Sequence, residues 1–174
     1  MSSRPGRYIG LYDNEHISDT FISIVWTDFM MSTSYRYPGQ AVLGGLGMLS
    51  SAVGQYYYAV KVIPNGYTAT GALIYGVDPD ENSEIKCYSA TIAGGIPSLL
   101  ASAVNFDAAA SPDTATVDFG ANDVVGDGKN TVIVEWNPTD AAPNETLYGG
   151  TITIIKTKIW YLIIKMFQGQ EFKL

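Results

Sequence analysis

The segment QYYYAVKVIPNGYTATGALIYGV, residues 55–77, decides the fold class. Its first nine residues are almost all aromatic, β-branched or apolar, and a strand is the only regular structure that suits them. Residues 68–77 repeat that character. Between them Pro64, Asn65 and Gly66 carry turn chemistry, because proline presets φ and glycine accepts φ > 0. Two strands flanking such a turn are expected to pair as a hairpin. The side-chain period of two places Tyr56 and Tyr58 on one face of the first strand and Tyr57 on the other.

The same pattern recurs in both directions. FISIVWTDFMM (21–31) is a dense apolar run with strand character, and Asp28 marks its end. SEIKCYSATI (83–92) alternates, which places Cys87 with Ile85 and sets Lys86 and Tyr88 on the opposite face. A short strand is expected at 115–119 and a clear one at 131–136 (TVIVEW). LYGGTITIIKT (147–157) and the residues after it read as further strands or one long bent strand, and 98–106 as a short strand or a helical turn. Residues 41–54 are apolar but interrupted by Gly44, Gly45 and Gly47, which make a regular helix costly. They are expected to form a long loop with at most one helical turn. No segment has convincing amphipathic helical periodicity. About eight or nine short strands separated by turns imply an all-β chain, an antiparallel β-sandwich of jelly-roll type. The organisation expected is an N-terminal arm over 1–20, the sandwich over 21–157 and a C-terminal strand or tail over 158–174 used for docking.

Composition narrows the function classes. Of the 174 residues 47% are hydrophobic, enough for a real core, and only 16% are charged, against about 25% in an ordinary domain. A surface so poor in charge fits a subunit that partners cover. The net charge of −7 disfavours nucleic acid as a partner. Charge is also unevenly placed: between Asp78 and Glu145 the only cations are Lys86 and Lys129, whereas Arg4, Arg7, Lys156, Lys158, Lys165 and Lys173 lie toward the ends. The acidic middle suits an outer surface and the basic ends suit docking. Cys87 is the single cysteine, so no disulfide framework is expected. Neither a secretory leader nor a membrane span is expected, since the apolar runs at 41–54 and 159–164 are short.

Raw material for catalysis is scarce. His16 is the only histidine and lies in a polar segment without a nucleophile elbow. Cys87 reads as a half-buried structural thiol. The run from Asp78 through Asp80 and Asn82 opens like a calcium loop, but Ser83 and Ser89 occupy the positions where glycine and glutamate are required. Gly44, Gly45 and Gly47 lack the Lys-Ser/Thr partner of a phosphate loop. Asp118 and Glu135 are the strand-borne acids that a paired-carboxylate hydrolase would need, and nothing in the sequence raises them above surface acids. The tyrosines remain the distinctive feature. Their rings bury area while their hydroxyls stay satisfied, which suits interfaces or a sugar platform.

Several segments together resemble small structural proteins of tailed bacteriophages. They are the strand–turn–strand from Val60 to Gly76 with its I-P-x-G-Y-x-A-T core and I-Y-G end, the strand from Glu84 to Tyr88, the late Tyr148-Gly-Gly-Thr-Ile-Thr-Ile strand, and the early Ile24-Val-Trp-Thr-Asp-Phe29 run, where Trp26 stands in place of a proline. The likeness spans roughly 22–156 in scattered pieces, and the KIWYLIIKMFQGQEFKL end lies beyond it. It implies a non-enzymatic virion component, a cement or decoration protein on the capsid exterior. Such a protein is made in the host cytoplasm, is commonly a homotrimer, binds the major capsid protein or other virion proteins, and uses no cofactor or metal. The contact residues expected on this reading are Arg4, Arg7, Tyr35, Tyr37, Tyr56, Tyr58, Trp160, Tyr161 and Phe167. The alternatives are a receptor- or carbohydrate-binding attachment module and a jelly-roll capsid or vertex subunit.

Overall fold

Exposure alternates along residues 57–60, with Tyr57 and Ala59 fully buried and Val60 exposed, as one-sided burial of a strand requires. The computed structural model describes residues 21–31, 47–49, 56–78, 82–107, 112–139 and 145–157. The expected arm (1–20), the turn at 35–39 and the tail (158–174) lie outside them.

The strands are β1 (Phe21–Val25), β2 (Met30–Met31), β3 (Met48–Leu49), β4 (Tyr57–Val62), β5 (Tyr67–Val77), β6 (Glu84–Thr91), β7 (Ser98–Leu99), β8 (Val104–Asn105), β9 (Asp113–Asp118), β10 (Val124–Val125), β11 (Asn130–Asn137) and β12 (Thr146–Lys156). They form two antiparallel sheets. Sheet A has the order β1-β12-β5-β10, with β3 on β12 and β9 on β5; sheet B has the order β2-β4-β11-β6-β7, with β8 on β6. When the two-residue pieces are merged with the principal strands they extend, the sheets read first-last-third-sixth and second-seventh-fourth-fifth, which is the double Greek key of a jelly roll. Among the described residues seven strands are five residues or longer, and β2, β3, β7, β8 and β10, each only two residues long, bring the total to twelve, above the expected eight or nine.

The turn at 64–66 departs from expectation. It is a real β-turn, closed by the Tyr67 N–H donating to the Pro64 carbonyl at 3.2 Å, with Gly66 at φ 82°. Yet β4 and β5 do not pair: β4 lies between β2 and β11 in sheet B, and β5 lies between β12 and β9 in sheet A. Turn chemistry reverses the chain without choosing its neighbour. Ile63, fully buried just before the turn, anchors a crossing from one sheet to the other. The first connection crosses too. After β1, the turn Trp26–Asp28 is held by the Val25 N–H donating to Asp28 Oδ2 at 2.7 Å, and Lys61 Nζ pairs with the same carboxylate at 2.8 Å.

The core fills the space between the sheets. From sheet A come Ile22, Ile24, Ile74, Val117, Ile152 and Ile154; from sheet B come Tyr57, Ile85, Cys87, Val132, Val134 and Trp136. The Tyr57 and Trp136 rings, facing each other across β4 and β11, have centroids 5.1 Å apart. Within the 41–54 stretch, read as a loop, Met48 and Leu49 instead pair with Leu147 and Thr146. Gly47 permits that approach, since a Cβ there would stand 2.6 Å from Thr146 Cγ2. The Tyr148-Gly-Gly motif is a β-bulge: the register shifts between Leu147 and Gly149, and Gly149 has φ 122° with the Ile24 carbonyl against the place a Cβ would occupy.

This register makes a sharp prediction. Ile152 is fully buried between Ile22 and Ala72, whereas its neighbour Thr153 points to solvent. Ile152→Ala should cost about 2–5 kcal/mol in chemical denaturation, and Thr153→Ala should stay within about 0.5 kcal/mol. Equal effects would mean that the register is wrong.

Candidate binding face on the outer side of sheet B

A β-strand at the centre of a sheet has a neighbouring strand along each edge, whose side chains can cover its own on both faces, and β11 shows the consequence. Its inward residues Val132, Val134 and Trp136 are buried in the core, but Glu135, on the opposite face, is only 6% exposed. Register accounts for this. Glu135 lies directly between Tyr58 on β4 and Lys86 on β6, and Ile133 between Val60 and Tyr88. Tyr88 is therefore a diagonal neighbour of Glu135. Tyr58 and Tyr88 line one groove with Glu135, and the acid acts electrostatically on both hydroxyls. Without such partners a desolvated carboxylate would be costly.

The electrostatics follow from this arrangement. Burial, followed by the Glu135 charge and hydrogen bond, pushes the Tyr58 hydroxyl from 10.0 up to about 12. Tyr88 is raised for the same reasons, burial first and then Glu135. Tyr56, 38% exposed, adds to the field at both. Beside them Lys86 Nζ donates to Glu84 Oε2 at 2.7 Å, and Asn137 reaches the same oxygen at 3.4 Å. That hydrogen bond to Lys86 holds Glu84 below the ordinary carboxylate value, and its counterpart holds Lys86 above the ordinary amine value.

Tyr58, Val60, Tyr88, Pro97, Ile133 and Glu135 line an open groove of about 400 Å³ on this face. Val60 and Leu99, half-exposed, extend its apolar rim. Its chemistry is that of a binding surface: apolar and aromatic walls with one carboxylate among phenol hydroxyls.

Of the residues singled out in the sequence, the structure gathers Tyr56 and Tyr58 at this face. Arg4, Arg7, His16, Tyr35, Tyr37, Trp160, Tyr161 and Phe167 lie outside the described residues. Asp118 and Glu135 are not brought together, because β9 belongs to sheet A and β11 to sheet B. Asp118 accepts the Gly120 N–H at 3.0 Å, a turn role. Glu135 is not the surface acid it appeared to be in sequence. The sign that it differs was a carboxylate in phase with Ile133, on a face that a one-sided sheet would make polar throughout. Cys87 is fully buried in the core beside Ile85, more completely than the half-burial expected, and burial raises its thiol to about 12. Asp78, from the incomplete calcium loop, is buried; its Oδ2 accepts the Ser83 N–H at 2.7 Å and its own N–H donates to Asp113 Oδ2 at 2.7 Å. Among the described residues no group of three or more His, Cys, Asp or Glu side chains is placed to hold a metal ion. No helix among them is long and apolar enough to cross a membrane. Comparison with protein-family models, curated proteins and solved structures found no match.

The raised Tyr58 value has a definite sign. The folded protein keeps this proton to a higher pH than the unfolded chain, so stability falls as pH climbs from 10 through about 12. Tyr58→Phe should make that decline shallower in denaturant titrations between these pH values; an unchanged decline would contradict the raised value of the half-buried Tyr58 hydroxyl. Cys87 should resist a thiol reagent in the native protein and react fully once unfolded. Rapid native labelling would show that the core is open there.

Proposed function

We propose that the chain is a non-enzymatic virion structural protein of a tailed bacteriophage, a cement or decoration subunit on the capsid exterior. The observation that carries this reading is the proximity of Phe21 and Thr157. Phe21 starts β1 opposite Thr153 of β12, and Thr157 follows directly after β12, its N–H donating to the Gly66 carbonyl at 2.8 Å. Neighbouring antiparallel strands of one sheet thus hold Phe21 and Thr157 at the same end of the sandwich; Arg4 and Arg7 precede Phe21 in sequence, and Lys158, Lys165 and Lys173 follow Thr157. Two segments joined to one end of the sandwich, one carrying Arg4 and Arg7 and the other Lys158, Lys165 and Lys173, can grip one acidic or polar site on a shell subunit together, and each raises the effective concentration of the other.

The jelly-roll order supports the reading by analogy, since two-sheet jelly rolls recur in viral shells. The low charge content supports it as well: a chain in which only 16% of residues are charged is suited to repeated contacts with copies and shell. In a symmetric assembly many modest contacts add up without a single strong site.

Deleting residues 1–12 together with 158–174 should abolish occupancy on capsids that lack the protein, while circular dichroism keeps its β-type spectrum. Native mass spectrometry of the intact chain should show a trimer. Full occupancy by the truncated chain would overturn the docking reading, and spontaneous closed shells of the intact chain would make it a shell subunit instead.

A further inference from the structure

We infer that the groove on the outer face of sheet B is a binding site for a neutral saccharide, taken as a pyranose ring laid between Tyr58 and Tyr88 over Glu135. This goes beyond the capsid reading and stands independently of it, because the described residues that line the groove lie within the sandwich.

The inference starts from the oddity of Glu135. A carboxylate on the solvent side of a sheet normally reaches into water, but this one is only 6% exposed, with Tyr58 directly across from it and Tyr88 diagonal to it in the same groove. A carboxylate has about four lone-pair sites, and a phenol that has given its hydrogen away is left with lone pairs alone. The centre of the groove is therefore rich in acceptors and calls for a ligand that brings donors. Anions are excluded by charge. A cationic side chain is disfavoured because Lys86, the direct cross-strand neighbour of Glu135, already places its ammonium on this face, where Glu135 contributes to holding it charged. Neutral hydroxyl groups meet the need without a second charge.

The walls supply the other half of the match. A pyranose has hydroxyls around its rim and an apolar C–H face. Val60, Pro97 and Ile133 give apolar walls to the groove, and the rings of Tyr58 and Tyr88 flank its carboxylate. The volume of about 400 Å³ lies in the range of small-molecule sites, and its openness to solvent lets a ring at the end of a longer chain enter. Sheet geometry keeps the parts rigid, since all three polar groups stand on paired strands and not on loops. Affinity in so open a site should be weak, with Kd on the order of a millimolar for a single ring.

The test uses the intact chain and a panel of neutral methyl pyranosides and neutral disaccharides, with Nα-acetyl-lysine amide as the cationic probe. Saturation-transfer NMR should show transfer to the ring C–H protons of at least one sugar, and amide shifts should centre on β4, β6 and β11. Tyr58→Phe and Glu135→Gln keep the shape of the groove, and each should weaken the response at least tenfold while leaving the unliganded spectrum otherwise native-like. No transfer to any sugar would overturn the inference. So would a response that survives both substitutions, a response to the lysine probe alone, or amide shifts on β4, β6 and β11 that follow protein concentration and not sugar, which would mark the face as a contact between copies. A variant that unfolds would be replaced by Tyr88→Phe, for which the same loss is expected.

Discussion

The last two strands of the described chain are the centres of the two sheets, and everything else depends on their insertion. β11 is paired along one edge by β4 and along the other by β6; β12 is paired by β1 and β5 in the same way. Before they enter, β4 and β6 have no common neighbour, and β1 has no partner in sheet A. The core then joins residues far apart in the chain, such as Ile22 with Ile152 and Tyr57 with Trp136. Loop-closure entropy must be met before such contacts contribute, so folding of this topology is governed by non-local pairing. The binding face has the same origin. Tyr58, Glu135 and Tyr88 come from three strands, and only β11 brings them to one place.

Local chemistry was legible in the sequence wherever one residue's environment follows from its neighbours. Period-two alternation places Tyr57 inward and Tyr56 and Tyr58 on the outer face, and Cys87 with Ile85 away from Lys86 and Tyr88. The all-β class follows from the same pattern. Pairing was not legible, because it is decided by distant partners. Pro64, Asn65 and Gly66 do make a turn, but β11 occupies the edge of β4 that a hairpin would have used. The two-residue strands β3 and β10 are too short to leave a periodic trace, and their pairing rests on the edges that β12 and β5 offer. Glu135 was misjudged for a related reason: its burial comes from large side chains on the two flanking strands and not from its own segment.

A buried carboxylate on an outer sheet face is an expense in stability unless something uses it. The polar neighbours Tyr58, Tyr88 and Lys86 reduce that cost but do not explain why a threonine or valine does not stand there instead. A ligand does. On the proposed reading the molecule has two separate regions of contact, the end of the sandwich that holds Phe21 and Thr157 and a tyrosine-lined groove on sheet B. Attachment through one leaves the other free to meet a second partner.

The central claim is that β11 lies between β4 and β6, with the chain crossing between sheets at 64–66. Cross-strand backbone NOEs in the uniformly labelled protein test it most directly. The account predicts contacts from Glu135 to both Tyr58 and Lys86, and none linking Val62 to Thr68 across the turn. A continuous ladder between residues 57–63 and 67–73, with no contact from β11 to β4, would contradict it and would remove the groove as well.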